Sequence, residues 1–114
     1  MKISEIVKYT GATIATGPLH EDLDPEKAFS SDLMSDVLTL EEENILLITG
    51  LANVQLIRTA EMAEINVVLL ARGKKATPEM IGLANENGLV ILETPYSIYK
   101  ASGILYSNGL KPVY

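Results

Sequence analysis

Two stretches, Ile45-Leu46-Leu47-Ile48 and Val67-Val68-Leu69-Leu70, are apolar at every position and bounded by polar residues. A strand with one face in water alternates apolar and polar side chains, so unbroken runs of this length require cover on both faces, as in parallel sheets sandwiched between helices. Residues 54–65, between the runs, place Leu56, Ile57, Ala60 and Ala63 at helical spacing. Strand, helix and strand then form a right-handed crossover unit. A second unit follows. Thr77-Pro78-Glu79 combines an N-cap with proline at the first helical position, Asn87-Gly88 is a stop, and residues 89–92 return as a strand. Thr94-Pro95 is expected to cap a last helix through Ile98, Ala101, Ile104 and Leu105, before Asn108-Gly109 releases a short C-terminal tail.

Upstream, Ile3, Ile6 and Val7 mark a short amphipathic helix stopped by Gly11, followed by a strand at residues 13–15. Residues 17–26 hold Gly, two Pro and the only His, an exposed-loop composition, and residues 28–30 form a brief strand. Ser31 or Asp32 is positioned to cap a helix with Leu33, Met34, Val37 and Leu38 on one side, and Glu41-Glu42-Glu43 reads as a solvated corner. The expectation is one domain over residues 1–114, a three-layer α/β/α fold with a mainly parallel sheet.

Composition narrows the function. At 114 residues and 47% hydrophobic, the chain can bury a core and is not disordered. A net charge of −6 is the wrong sign for neutralising phosphates along a nucleic acid or for an anionic membrane surface. The absence of cysteine excludes disulfides, thiol nucleophiles and thiolate metal sites and points to the cytoplasm. No apolar stretch approaches the roughly 18 residues of a membrane span, and the start carries no apolar leader.

In open α/β sheets ligands bind beyond the carboxyl ends of the strands. Three loops fall there. Gly50, Leu51, Ala52 and Asn53 form a glycine turn before a helix whose N–H groups could hold an anion, without the glycine pattern of a Walker or dinucleotide loop. Arg72, Gly73, Lys74 and Lys75 concentrate three of the nine basic residues at one strand end, which suits a phosphate or carboxylate, though a solvated loop explains them equally well. Thr94, Tyr96 and Ser97 add hydroxyls and an aromatic ring, with capping the simpler role for Thr94. His20 has no second histidine to share a metal, and Glu61 and Glu64 are spaced like solvated helix carboxylates able to pair with Arg58. Tyr96, Tyr99 and Tyr106 form a stripe more typical of core or subunit interface than of a stacking platform. No catalytic set or cofactor is expected.

The segments Leu-Leu-Ile-Thr-Gly-Leu-Ala-Asn-Val, Ile-Arg-Thr-Ala-Glu-Met-Ala, Val-Leu-Leu-Ala-Arg-Gly-Lys-Lys and Thr-Pro-Tyr-Ser within residues 45–106, with Ser-Ser-Asp-Leu-Met-Ser-Asp-Val-Leu upstream, resemble a DRTGG domain. Such domains are similar in fold to the N-terminal domain of HPr kinase/phosphorylase and occur beside CBS pairs in pyrophosphatases and inside phosphotransacetylases, as regulatory or dimerising parts. The resemblance also implies kinship with the uridine-nucleotide-binding domains of muramyl ligases. In place of the family's Asp-Arg-Thr-Gly-Gly loop this chain has Thr49-Gly50-Leu51-Ala52-Asn53. The phosphate-binding loop of the kinase has no counterpart here. The resemblance implies a non-catalytic regulatory, ligand-sensing or dimerisation module that binds a small anionic effector or a partner enzyme such as a kinase. The alternative is a small enzyme, or enzyme subunit, acting on a phosphorylated metabolite. A homodimer is expected, through the C-terminal helix with Tyr99 and Tyr106 or through the helix at residues 33–38.

Overall fold

A computed structural model describes residues 1–17 and 23–114; the exposed-loop reading of His20 lies outside the described residues. The elements are α1 (Ile3–Thr10), β1 (Thr13–Ile14), β2 (Lys27–Ser30), α2 (Met34–Val37), β3 (Ile45–Thr49), α3 (Val54–Met62), β4 (Val67–Leu70), α4 (Pro78–Glu86), β5 (Val90–Glu93), α5 (Ile98–Ser107) and β6 (Lys111–Pro112). One six-stranded sheet runs in the order β1-β5-β4-β3-β2-β6. All pairings are parallel except β1 against β5. The three-layer α/β/α architecture with a mainly parallel sheet is the one the apolar runs require.

Handedness explains the layers. From β2 to β5 the chain steps across the sheet in one direction, so right-handed crossovers place α2, α3 and α4 on the same face. After β5 it returns across the whole sheet to β6 at the far edge, which sends α5 to the opposite face beside α1. The strand residues divide accordingly. Leu47, Val68 and Ile91 pack under α3 and α4 with Leu56, Ile57 and Met80. Leu46, Ile48, Leu69 and Leu92 pack under α1 and α5 with Ile3, Ile6, Ala101 and Leu105. Every residue of β3 and β4 is buried, as strands sheltered on both faces must be.

Several boundaries differ from expectation for local reasons. The helix expected through residues 33–38 is one turn with no side-chain cap: Ser31 Oγ accepts from the N–H of Leu33 while Asp32 is drawn elsewhere, and only Met34 and Val37 are buried. Helix α5 is capped by Ser97, whose Oγ accepts from the N–H of Lys100, and not by Thr94. The expected C-terminal tail is instead β6, paired in parallel with β2. At the caps the sequence did state, Thr77 Oγ1 accepts from the N–H of Met80, and Gly11 and Gly88 take the left-handed φ of +63° and +67° that end α1 and follow α4.

Candidate functional site

Helices leave the carboxyl ends of the adjacent strands β4 and β5 toward opposite faces, so the crevice of the sheet lies between these two strands. Its loops are residues 71–77 and 94–97. They are stitched across the gap by the backbone: the Arg72 N–H donates to the Tyr96 carbonyl at 2.7 Å and the Gly73 N–H to the Thr94 carbonyl at 3.0 Å.

Arg72 and Gly73 occupy the two central positions of a tight turn, with φ of +62° and +71°, closed by the Lys74 N–H donating to the Ala71 carbonyl at 3.2 Å. The first position of such a turn suits Gly, Asn or Asp; an arginine there costs roughly 1–2 kcal/mol of backbone strain. The turn sends the guanidinium back across the end of β4 onto the loop after β3. Arg72 Nη2 donates to the Gly50 carbonyl at 3.4 Å and lies 3.9 Å from Asp32 Oδ2. A Cβ on residue 50 would stand 2.3 Å from that nitrogen, so a side chain here would push the guanidinium off its seat.

Asp32, at the carboxyl end of β2, is the residue that sequence reasoning placed wrongly. Its Oδ1 accepts from the Gly50 N–H at 2.7 Å and from the Thr49 hydroxyl at 2.9 Å. The Gly50 N–H, foremost, holds the carboxyl below the ordinary aspartate range, with the Thr49 hydroxyl and the Arg72 charge acting in the same direction against partial burial. Asp32 therefore supplies the anion that the glycine turn was expected to take from a ligand. The Leu51 N–H is likewise satisfied, by Thr49 Oγ1 at 3.1 Å, and Asn53 caps α3 by accepting from the Leu56 N–H at 3.0 Å. Leu51 and Ala52 pack against the core under α3 rather than into the crevice.

In the third loop Thr94 is 1% exposed, and its hydroxyl donates to the Thr10 carbonyl at 2.6 Å while accepting from the Tyr96 N–H at 3.1 Å. It fastens α1 to the crevice and leaves nothing for a ligand. Tyr96 is half-buried, with the Lys100 ammonium 3.9 Å from its ring centroid. Glu93, where β5 runs into this loop, accepts from the Ala76 N–H at 2.7 Å and lies 3.6 Å from Lys75 Nζ. The basic cluster thus divides: Lys75 faces Glu93, Arg72 bridges loops, and Lys74 is exposed beside Gly73. Among the described residues no three His, Cys, Asp or Glu side chains gather in metal-binding geometry, and no helix is long and apolar enough to cross a membrane.

The architecture and this crevice define a small α/β/α domain built around a strand-end arginine. No family model and no curated protein matches the sequence. Among solved structures, the chain is similar to the CBS and DRTGG domains of the regulatory region of Clostridium perfringens pyrophosphatase, crystallised with its activator diadenosine tetraphosphate: the TM-score is 0.78 at 17% identity, over 98% of this chain and 48% of that one. The likeness is one of fold, and this chain spans about half the length of that solved chain (48%).

Proposed function

We propose that this chain is a non-catalytic regulatory module that senses a small anionic effector at the carboxyl-end crevice, in the service of a partner enzyme. One observation carries the reading: Arg72 holds three loops at once, the third through its backbone N–H and the first through its guanidinium, from a strained turn. An anion bound by Arg72 and Lys74 would compete with Asp32 and Gly50 for that guanidinium, and the loops would register its arrival. The regulatory region that shares this fold, with its nucleotide activator, supports the assignment.

The module acts as a homodimer in the cytoplasm. Leu33 and Leu38, 57% and 48% exposed on either side of α2, form its contact. The tyrosine face of α5 is the weaker choice, because Lys100 and Lys111 both line it and a contact between copies there would gather like charges. Light scattering is expected to return twice the chain mass; a monomer at high concentration rejects the dimer.

A calorimetric screen of nucleotides and phosphorylated metabolites tests the crevice. Arg72→Ala is expected to weaken the effector roughly tenfold or more, the value of one charge-assisted hydrogen bond of about 1.5–3 kcal/mol. An effector bound equally by both proteins places the site elsewhere, and a wild type that binds nothing at millimolar concentration rejects effector sensing.

A further inference from the structure

Three helices cover one face of the sheet and two the other, and the shortfall lies over β2 and β6, where a groove of about 640 Å³ opens between the sheet edge and α5. That volume falls in the range of small-molecule sites. Its floor is apolar, made by the buried Ile48, Leu105 and Leu110, and small side chains line its mouth. Ser30 and Ser102 face each other with their hydroxyl oxygens 2.8 Å apart, and a Cβ on Gly103 would meet no atom within 4 Å. Each hydroxyl keeps hydrogen-bonding capacity beyond that shared bond.

The walls are aromatic and the rim is cationic. Tyr99, Tyr106 and Tyr114, all lining the groove, are 89%, 67% and 84% exposed, so their rings are open for a planar group to stack on. Lys100 stands in the first turn of α5 and Lys111 on β6, both lining the groove, and Lys100 is steadied over the Tyr96 ring at 3.9 Å. None of the described residues lining the groove is acidic, in a chain with fifteen Asp and Glu against nine Lys and Arg. Stacking faces, paired hydroxyls and an acid-free lysine rim together select a planar aromatic group joined to a negative charge.

We infer that the groove between α5 and the β2–β6 edge is a nucleotide-binding site, separate from the Arg72 crevice. The base would lie over Gly103 between the tyrosines, the sugar or base edge would meet Ser30 and Ser102, and a lysine would take the phosphate. The inference stands independently of effector binding at Arg72.

The test is ATP titrated by calorimetry into the full chain, with chemical-shift mapping of α5. Gly103→Leu fills the mouth of the groove from an exposed helical position that welcomes a better helix former, so the fold is retained. It is expected to weaken ATP at least tenfold. Arg72→Ala is expected to leave ATP unchanged, and Lys100→Ala with Lys111→Ala to abolish the preference for ATP over adenosine. The inference fails if the wild type binds no ATP at about 1 mM, or if Gly103→Leu binds it normally. ATP binding lost only in Arg72→Ala would reject the groove while upholding the crevice. A dimer that Gly103→Leu converts to monomer would make the groove a contact between copies and reject the nucleotide site.

Discussion

The two ends of the parallel sheet are built from similar parts and differ in how those parts are joined. At the amino end, Glu64 and Asn44 take left-handed φ of +59° and +57°, and Glu43, Glu61, Asn66 and Asn87 surround a hollow of about 410 Å³. Among the described lining residues there, the one side-chain hydrogen bond stays within its own helix, from Asn87 to the Leu83 carbonyl. Glu64 has an ordinary reason for its conformation: it follows α3 in a helix-ending motif in which the Ile65 N–H reaches the Ala60 carbonyl at 2.8 Å. At the carboxyl end, Arg72 carries the same backbone strain, but Asp32, Thr49, Thr94 and Glu93 each reach a different loop or element. Strain alone does not distinguish a site from a helix end. Strain combined with side chains that link separate loops does.

The largest expected effect is from cutting one of those links. Thr94→Val keeps the shape but leaves the buried Thr10 carbonyl and the Tyr96 N–H without their partner, at a cost of about 1–3 kcal/mol. Urea unfolding should show that loss, and a change within a few tenths of a kcal/mol would mean the link is idle. Relief of strain separates the ends more sharply. Glu64→Gly should stabilise by about 1 kcal/mol with no change in effector affinity, since it ends α3 at the end of the sheet away from the crevice. Arg72→Gly relieves the same strain while abolishing the bridge, so a stability gain there should come with weakened effector binding. If both glycine variants behave alike in binding, the contrast between the ends is false.

The smallest effect is one of pH. Asp32 titrates below its ordinary value in the folded chain, so its contribution to stability is complete above the unfolded aspartate pKa and is lost as pH falls through the lower folded value. Asp32→Asn retains an acceptor for the Gly50 N–H without the charge. Wild type should therefore be the more stable near neutrality, and the two stabilities should converge in acid. Parallel curves from about pH 6 to about pH 3, a window that contains the unfolded aspartate value of ~3.9, would show that the Asp32 charge does nothing.

The layered fold was legible because it is written in local periods: the apolar runs at residues 45–48 and 67–70, the Thr77-Pro78 helix start and the Gly88 stop each declare themselves within a few residues. Arg72 was legible as charge at a strand end. Asp32 was not, because Ser-Ser-Asp before an apolar turn has the form of a helix cap, and its actual partners lie 17 and 18 residues away across the β2–β3 pairing. Thr94 was misassigned for the same reason, its donor bond spanning 84 positions to Thr10. The strand β6 is two residues of Lys-Pro whose identity as a strand depends wholly on β2 lying beside it.

That last strand has a consequence for assembly. Strands β3 and β4 are buried throughout and hydrophobic but for Thr49, the composition that templates fibrils when it lies at an open margin. Here both margins are blunt: β1 is a two-residue reversed strand, and β6 ends in Pro112, which has no N–H to offer a newcomer. Sheet extension by an added strand is thereby discouraged on either side, and contacts with other chains are left to side chains on helices and loops rather than to an unpaired backbone.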